Sequence, residues 1–231
     1  MASFSVVILT AAPMGQNTEA GGAFVKIDGR EALLRSVELF LNRDEIKQIQ
    51  VVVMSDELEE AKRKYGPHLS FSGVKLISGG PRWTDQIKAA GQNISADATH
   101  VILHDAARPL VPFSDIDALI EASQKNDVVV LTAPLRSELI QVDEGGNPLR
   151  VWNPDEFVQV MLPQVYSKAT FARMAQSGQE LSAVHATLLK GSPLNLRIRG
   201  AGDASLAKCM MSLMPKPKVK PPGSPFEEAQ W

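Results

Sequence analysis

Cysteine is nearly absent from this chain of 231 residues, Cys209 being the only one. An intrachain disulfide and a cysteine-built metal cage are therefore excluded, which suits a reducing, cytoplasmic setting. Histidine is almost as scarce. Of the four, His68, His100 and His185 have no spacing that would pair them on a metal, so surface or packing roles are expected. No Ser-His-Asp or Cys-His constellation is legible, which leaves little room for hydrolase chemistry. Charge of one sign is not in excess either. A formal net charge of −2 gives no long-range attraction to nucleic acid or to an anionic membrane, so a small anionic ligand is the better expectation. Long apolar runs are missing too. Val6–Leu9 is far too short to span a bilayer and has no cationic stretch before it, so neither an anchor nor a leader is expected.

What is present is an alternation of short apolar runs with helical patterns, the signature of parallel strands joined by crossover helices. Val6–Leu9, Ile49–Met54, Val74–Ile77, Val101–Leu103 and Val128–Thr132 read as strands buried on both faces. Between them, Glu31 to Asn42 carries Leu33, Leu34, Val37, Phe40 and Leu41 on one helical face. Glu57 to Tyr65 and Thr84 to Ile94 are further helices, and Ser114 is expected to cap Asp115 to Lys125. The alternation breaks after Thr132. Residues 134–164 hold short extended pieces around the turn signal Asp143-Glu-Gly-Gly-Asn-Pro148, which predicts a hairpin leaving the sheet. Helical patterns resume at Ser167 to Gln176 and Leu181 to Leu189, followed by a strand over Leu194–Ile198 and a helix from Asp203 to Leu213. From Pro215 onward the proline-rich tail reads either as disordered or, through Phe226 and Trp231, as a docking segment. One domain over residues 1–214 and a tail over 215–231 are expected.

Three segments carry chemistry. At the end of the strand Val101–Leu103, His104-Asp-Ala-Ala-Arg-Pro109 leaves the sheet where open parallel sheets bind ligands. Asp105 is placed there to hold a cation or a ribose hydroxyl, with Ala106 and Ala107 leaving room for a ligand. Arg108 is suited either to a phosphate or to pairing with Asp105. His104 abuts Asp105, but adjacent residues of an extended segment face opposite ways, which favours packing over general base. The second segment follows the first strand, where the small residues from Ala11 and Ala12 onward would let backbone amides approach a phosphate. It lacks the Gly-Lys-Ser/Thr ending of a P-loop and has no lysine or arginine between Thr10 and Val25. The third, Ser78-Gly-Gly-Pro-Arg-Trp-Thr-Asp85, again sets glycines between a strand and a helix.

Together these segments resemble the 2-C-methyl-D-erythritol 4-phosphate cytidylyltransferases of isoprenoid biosynthesis and their alditol-phosphate relatives, over about residues 4–213. His104 to Pro109 is the sharpest match. Ala11-Ala12, Gly79-Gly80 with Thr84-Asp85, Pro163-Gln164 and Gly200 through Asp203 follow in the family's order. The resemblance implies a Rossmann-like, largely parallel α/β sheet flanked by helices, with a protruding β-arm at about 134–164 through which a homodimer forms. It also implies transfer of CMP from CTP to methylerythritol phosphate or a related alditol phosphate, with release of pyrophosphate. By position it implies Asp105 and Asp203 as catalytic residues and ligands of Mg²⁺, and Ala11, Ala12, Gly79, Gly80, Asp105, Ala106 and Arg108 as nucleotide-binding residues.

The departures fall in the first loop. The family pattern has an arginine there and a later Pro-Lys; this chain has Pro13 in place of the first glycine and Gly21-Gly22 in place of Pro-Lys. Lys26 is the nearest cation, but four extended residues span roughly 13 Å. Arg30 is further along, and Arg82 sits one place before the expected arginine, which Trp83 replaces. The lysine expected in the last helix falls at Leu206, with Lys208 two residues on. Ser137-Glu138-Leu139-Ile140 replaces the acceptor-binding pattern of the arm, and Gln86 replaces a serine. Two readings follow: a working cytidylyltransferase into whose site Lys26, Arg30 or Arg82 enters, or a catalytically degenerate homologue that binds nucleotide or a protein.

Overall fold

The first strand, β1 (Phe4–Leu9), is buried along its whole length, Ser5 included, as a strand covered on both faces requires. In a computed structural model that describes residues 2–13, 22–178 and 185–214, it sits inside a seven-stranded sheet. In chain order the elements are β1; the short hairpin β2 (Lys26–Ile27) and β3 (Arg30–Glu31); α1 (Ala32–Glu38); β4 (Ile46–Met54); α2 (Leu58–Phe71); β5 (Lys75–Gly79); α3 (Trp83–Gly91); β6 (His100–Asp105); α4 (Phe113–Ser123); β7 (Val128–Pro134); β8 (Leu139–Val142); β9 (Pro148–Trp152); β10 (Val158–Ser167); α5 (Lys168–Ser177); β11 (Thr187–Lys190); and α6 (Ala201–Met211).

The main sheet has the order β11-β7-β10-β6-β1-β4-β5. β6, β1, β4 and β5 are parallel neighbours, and β11 is parallel to β7. β10 alone runs antiparallel, between β6 and β7. The five strands read from the sequence are all here, each longer than its apolar core because polar ends still pair. β5 is the exception to burial on both faces, since it lies at the edge and exposes Lys75 and Ser78.

Helices cover both faces. Leu33, Val37 and Phe40 pack with Ile8, Ile102 and Val51 on one side, and Ile87, Phe171 and Met174 pack with Val7, Leu103 and Tyr166 on the other. α2 runs past the expected Tyr65 end and through Pro67, then stops in a glycine-terminated cap. Gly73 takes φ of +70°, its N–H donates to Ser70 O (3.0 Å), and Val74 N–H donates to Leu69 O (2.9 Å). The buried side chains of Val74 and Leu69 belong to one cluster and complete the motif.

Three local expectations are corrected. α4 begins at Phe113 with Pro112 at the cap position, so Ser114 lies inside the first turn. Pro112 supplies the extended φ and ψ that a cap needs without a side-chain bond. Where a helix was expected over Leu181 to Leu189, residues 181–184 lie outside the described residues and Thr187–Lys190 forms β11, whose pairing to β7 overrides the local helical pattern. Leu194–Ile198 forms no strand. Its backbone instead meets the loop after β6 through Ile198 N–H to Ala107 O (2.7 Å).

The excursion expected over 134–164 is shorter than read, because Val158–Gln164 belong to β10, which pairs with β7. Between β7 and β10 the chain leaves the main sheet, and β8 and β9 pair only with each other. One face of this hairpin carries Ile140, Val142, Leu149 and Val151, all more than half exposed. The tail over 215–231 lies outside the described residues.

Candidate active site

Leu9, Met54, Gly79 and Asp105 end four parallel strands at one edge of the sheet, and the candidate residues gather there. Asp105 is fully buried. Its Oδ1 accepts the N–H of Ala107 (2.9 Å), and its Oδ2 accepts Arg197 Nε at 2.6 Å. Arg108, for which pairing with Asp105 was one of two expected roles, stands 3.9 Å from the same oxygen, beyond hydrogen-bond range. Both arginines are more than nine-tenths buried.

This arrangement places two guanidinium groups around one carboxylate, an excess of one positive charge in a setting where bare charge is costly. Burial pushes the Arg108 guanidinium below its usual range, with Asp105 pulling it back up and Arg197 pushing it further down. Two N–H groups, Arg108 Nε and Arg197 Nη1, are buried with no hydrogen-bond partner among the described residues. Such a set is matched to an acceptor of negative charge.

The Asp105–Arg108 loop is held on every side. Ala106 N–H donates to Leu9 O and Arg108 N–H to Asp105 O, both at 2.9 Å, while Ser36 Oγ donates to Ala106 O at 2.9 Å. Both alanines are buried. The space beside Ala107 holds Gly22, whose hypothetical Cβ would lie 2.2 Å from the Ile198 carbonyl oxygen. The position at which the family pattern has a lysine is thus one where this chain can carry no side chain.

His104 is also fully buried, edge-on to Phe40 with ring centroids 5.2 Å apart. Its Nε2 lies 3.1 Å from the Arg108 carbonyl oxygen and must carry the proton to donate there, which leaves Nδ1 bare and without a partner. Burial, with Arg108 nearby, lowers its pKa to about 3. It is a neutral packing residue at neutral pH, as the alternation argument indicated.

On the other side of the edge, Gln86 performs a task not read from the sequence. Its fully buried Oε1 accepts the N–H groups of Thr10 (3.0 Å) and Ala11 (3.1 Å), so the start of the first loop is stapled to α3. The Ala11 amide expected to face a phosphate is bonded within the protein. Gly79 is small for packing reasons, since a Cβ there would stand 2.7 Å from Val52 Cγ1 and 3.0 Å from Gln86 Cγ; at Gly80 it would meet Asp85 at 2.7 Å. Replacing Gln86 by leucine, of similar size, should cost about 1–3 kcal/mol by leaving the Ala11 N–H unpaired. Glutamate at the same place should keep most of that stability. Urea unfolding of both variants checks this, and equal loss in the two would remove the stapling role.

The other cations lie elsewhere. Lys26 is exposed on the β2–β3 hairpin, Arg30 is paired with Glu38 and His68, and Lys208 is paired with Asp28. Arg82 makes an exposed two-point ion pair with Asp85, and their hydrogen bond holds the Asp85 carboxyl below its usual value. Asp203, in the first turn of α6, accepts Arg199 N–H at 2.8 Å, with Arg199 Nε 3.6 Å away. Asp105 and Asp203 are therefore engaged by different arginines. Among the described residues no three histidine, cysteine, aspartate or glutamate side chains gather to hold a metal, and the Asp105 carboxylate, with one oxygen on the Ala107 amide and the other on Arg197, does not fit a Mg²⁺ ligand in this arrangement.

Besides Gln86, sequence reasoning missed Arg197 and Asn195. Both Arg108 and the carbonyl of Leu162 meet Asn195: Arg108 Nη1 donates to its backbone oxygen (3.0 Å) and Oδ1 (3.3 Å), and its Nδ2 donates to Leu162 O (2.6 Å). The signal was present in Leu194-Asn-Leu-Arg-Ile198, where Asn195 and Arg197 alternate with apolar residues and so share a side.

A model of the 2-C-methyl-D-erythritol 4-phosphate cytidylyltransferase family matches residues 5–212, which span β1 through α6 and every residue of this site. The chain belongs to that family. It is 26% identical over 225 residues to the 2-C-methyl-D-erythritol 4-phosphate cytidylyltransferase of Acidobacterium capsulatum, covering 87% of this chain and 94% of that one. To the cytidylyltransferase of Halalkalibacterium halodurans it is 24% identical, with 89% and 96% covered. The fold matches the 4-diphosphocytidyl-2C-methyl-D-erythritol synthase of Anaerococcus prevotii with a TM-score of 0.75 at 16% identity, covering 91% and 96% of the two chains. It matches the Thermus thermophilus cytidylyltransferase at 0.70 and 22% identity, covering 92% and 100%. The Rossmann-like α/β class expected from sequence is thereby shown, and no helix among the described residues is long and apolar enough to cross a membrane.

Proposed function

We propose that this family member transfers CMP from CTP to 2-C-methyl-D-erythritol 4-phosphate or a related alditol phosphate, releasing pyrophosphate. The observation that carries the reading is the buried pair Arg108 and Arg197 beside Asp105, with two N–H groups that have no partner among the described residues and an excess positive charge at the carboxyl edge of the sheet. An oxygen of the acceptor's phosphate attacks the α-phosphorus of CTP. A new P–O bond forms there as the bond between the α-phosphorus and the bridging oxygen breaks, and pyrophosphate carries that electron pair away. Negative charge gathers on the phosphoryl oxygens, and preorganised donors in a dry site stabilise it strongly.

Arg197 supplies a cation that the first loop lacks. Its guanidinium is a rigid fork of donors, and among the described residues its Nη1 has no partner, so an oxyanion would displace none. Mg²⁺ accompanying the triphosphate would neutralise part of its charge, but Asp105 and Asp203 as they stand form no cage for it, and the reading rests on the arginines. A second copy of the chain is the proposed partner of the β8–β9 hairpin, whose aliphatic face is uncovered.

Purified protein given CTP, Mg²⁺ and methylerythritol phosphate is expected to release pyrophosphate. Absence of release with this and other alditol phosphates, under conditions where CTP binds, would favour the degenerate homologue instead.

A further inference from the structure

The position of Arg108 poses a physical question. A buried guanidinium should close onto the nearest carboxylate, yet Arg108 Nε stays 3.9 Å from Asp105 Oδ2 while Arg197 approaches to 2.6 Å. The other end of the Arg108 guanidinium is engaged by Asn195. Two oxygens of that residue, the backbone carbonyl and Oδ1, accept from Arg108 Nη1. The orientation of the carboxamide is fixed in turn, because its Nδ2 donates to the Leu162 carbonyl of β10 at 2.6 Å. Asn195 is itself buried, so no water competes for either bond.

We propose that Asn195 is a positioning residue that holds Arg108 off Asp105 and keeps its Nε–H in reserve for an anionic phosphate. This deepens the cytidylyltransferase reading and rests on it for the identity of the ligand. The role is distinct from scaffolding alone. A scaffold bond lost should lower stability and leave Arg108 in place, whereas release of a tether should let Arg108 move and form a bond it now lacks.

Two variants separate position from charge. In Asn195→Leu the side-chain oxygen and the donor to Leu162 are gone, and Arg108 keeps only the backbone-carbonyl bond at Nη1, about which the guanidinium can swing. Arg108 Nε is expected to move to within about 3 Å of Asp105 in a crystal structure. The Kd for CTP with Mg²⁺, and for inorganic pyrophosphate, should rise about ten- to a hundredfold. In Asn195→Asp the oxygen facing Arg108 is kept, the donor to Leu162 is lost, and a negative charge is gained that holds the guanidinium by itself. Arg108 should stay where it is while both Kd values rise, because the excess positive charge is cancelled.

An unmoved Arg108 in the leucine variant, or undiminished affinity in both variants, overturns the proposal. If Asn195→Leu does not fold, Asn195→Asp decides through affinity at an unshifted Arg108. Should the wild-type protein bind neither CTP nor pyrophosphate, the cytidylyltransferase reading and the phosphate role fail. The Arg108 displacement then still tests whether Asn195 is the tether.

Discussion

Replacing Arg197 by methionine is expected to destabilise the fold by about 3–5 kcal/mol, the usual consequence of stranding one member of a buried ion pair. The stranded group is Asp105, which has no solvent contact and whose remaining close bond is the Ala107 amide. Arg108 at 3.9 Å offsets part of the loss. The double variant R197M/D105N removes the stranded charge while keeping an acceptor for that amide, and it should recover much of the stability. A double-mutant cycle in urea measures the coupling directly. Two single losses that simply add would show that the 2.6 Å contact contributes nothing beyond packing. Turnover should fall about a hundred- to a thousandfold in R197M, as is typical when one aimed donor is lost. R197K, which keeps the charge but not the fork, should lie between.

The second large effect concerns acid. His104 has a folded-state pKa of about 3 against an ordinary value of 6.5. Its folded pKa is depressed, so below 6.5 the unfolded chain binds a proton that the folded one does not. The stabilisation is complete above pH 6.5 and is lost progressively as pH falls from there towards 3. Between pH 7 and pH 5 the loss should be roughly 2 kcal/mol. This window precedes most carboxylate titration. Glutamine at this position can keep a donor for the Arg108 carbonyl but cannot take a proton, so His104→Gln should flatten the pH dependence even if it is less stable at pH 7. An unchanged slope would assign the acid sensitivity to another group.

Much of the fold was legible because burial leaves a periodic imprint. The five apolar runs read as strands are strands, and the switch to turn residues after Thr132 marks the place where the chain leaves the sheet. β11 was not legible. Its pattern of apolar residues suits a helix, and only the open edge of β7 makes it a strand. The site was readable where one strand's end carried it: His104 to Arg108 could be placed on the carboxyl edge from sequence alone. Arg197 was not, because its partner lies 92 residues away and no local pattern records a long-range ion pair. Lys26, Arg30 and Arg82 are the cations nearest the glycine-bearing segments along the chain, whereas Arg197 comes to Asp105 from the other end of the domain. Gln86 escaped for a related reason. A residue that differs from the family's serine reads as a loss until its Oε1 is seen on the Thr10 and Ala11 amides.

The antiparallel strand has a consequence for synthesis. β7 and β11 reach the other four strands only through β10, which pairs with β6 by Gln164–Ser167 and with β7 by Val158–Tyr166. Until the ribosome has released that strand, β6 and β7 each present an unpaired apolar edge, the kind that recruits other chains. The nascent protein therefore passes through an aggregation-prone interval that closes only when a segment more than halfway along the chain slots between two strands already made.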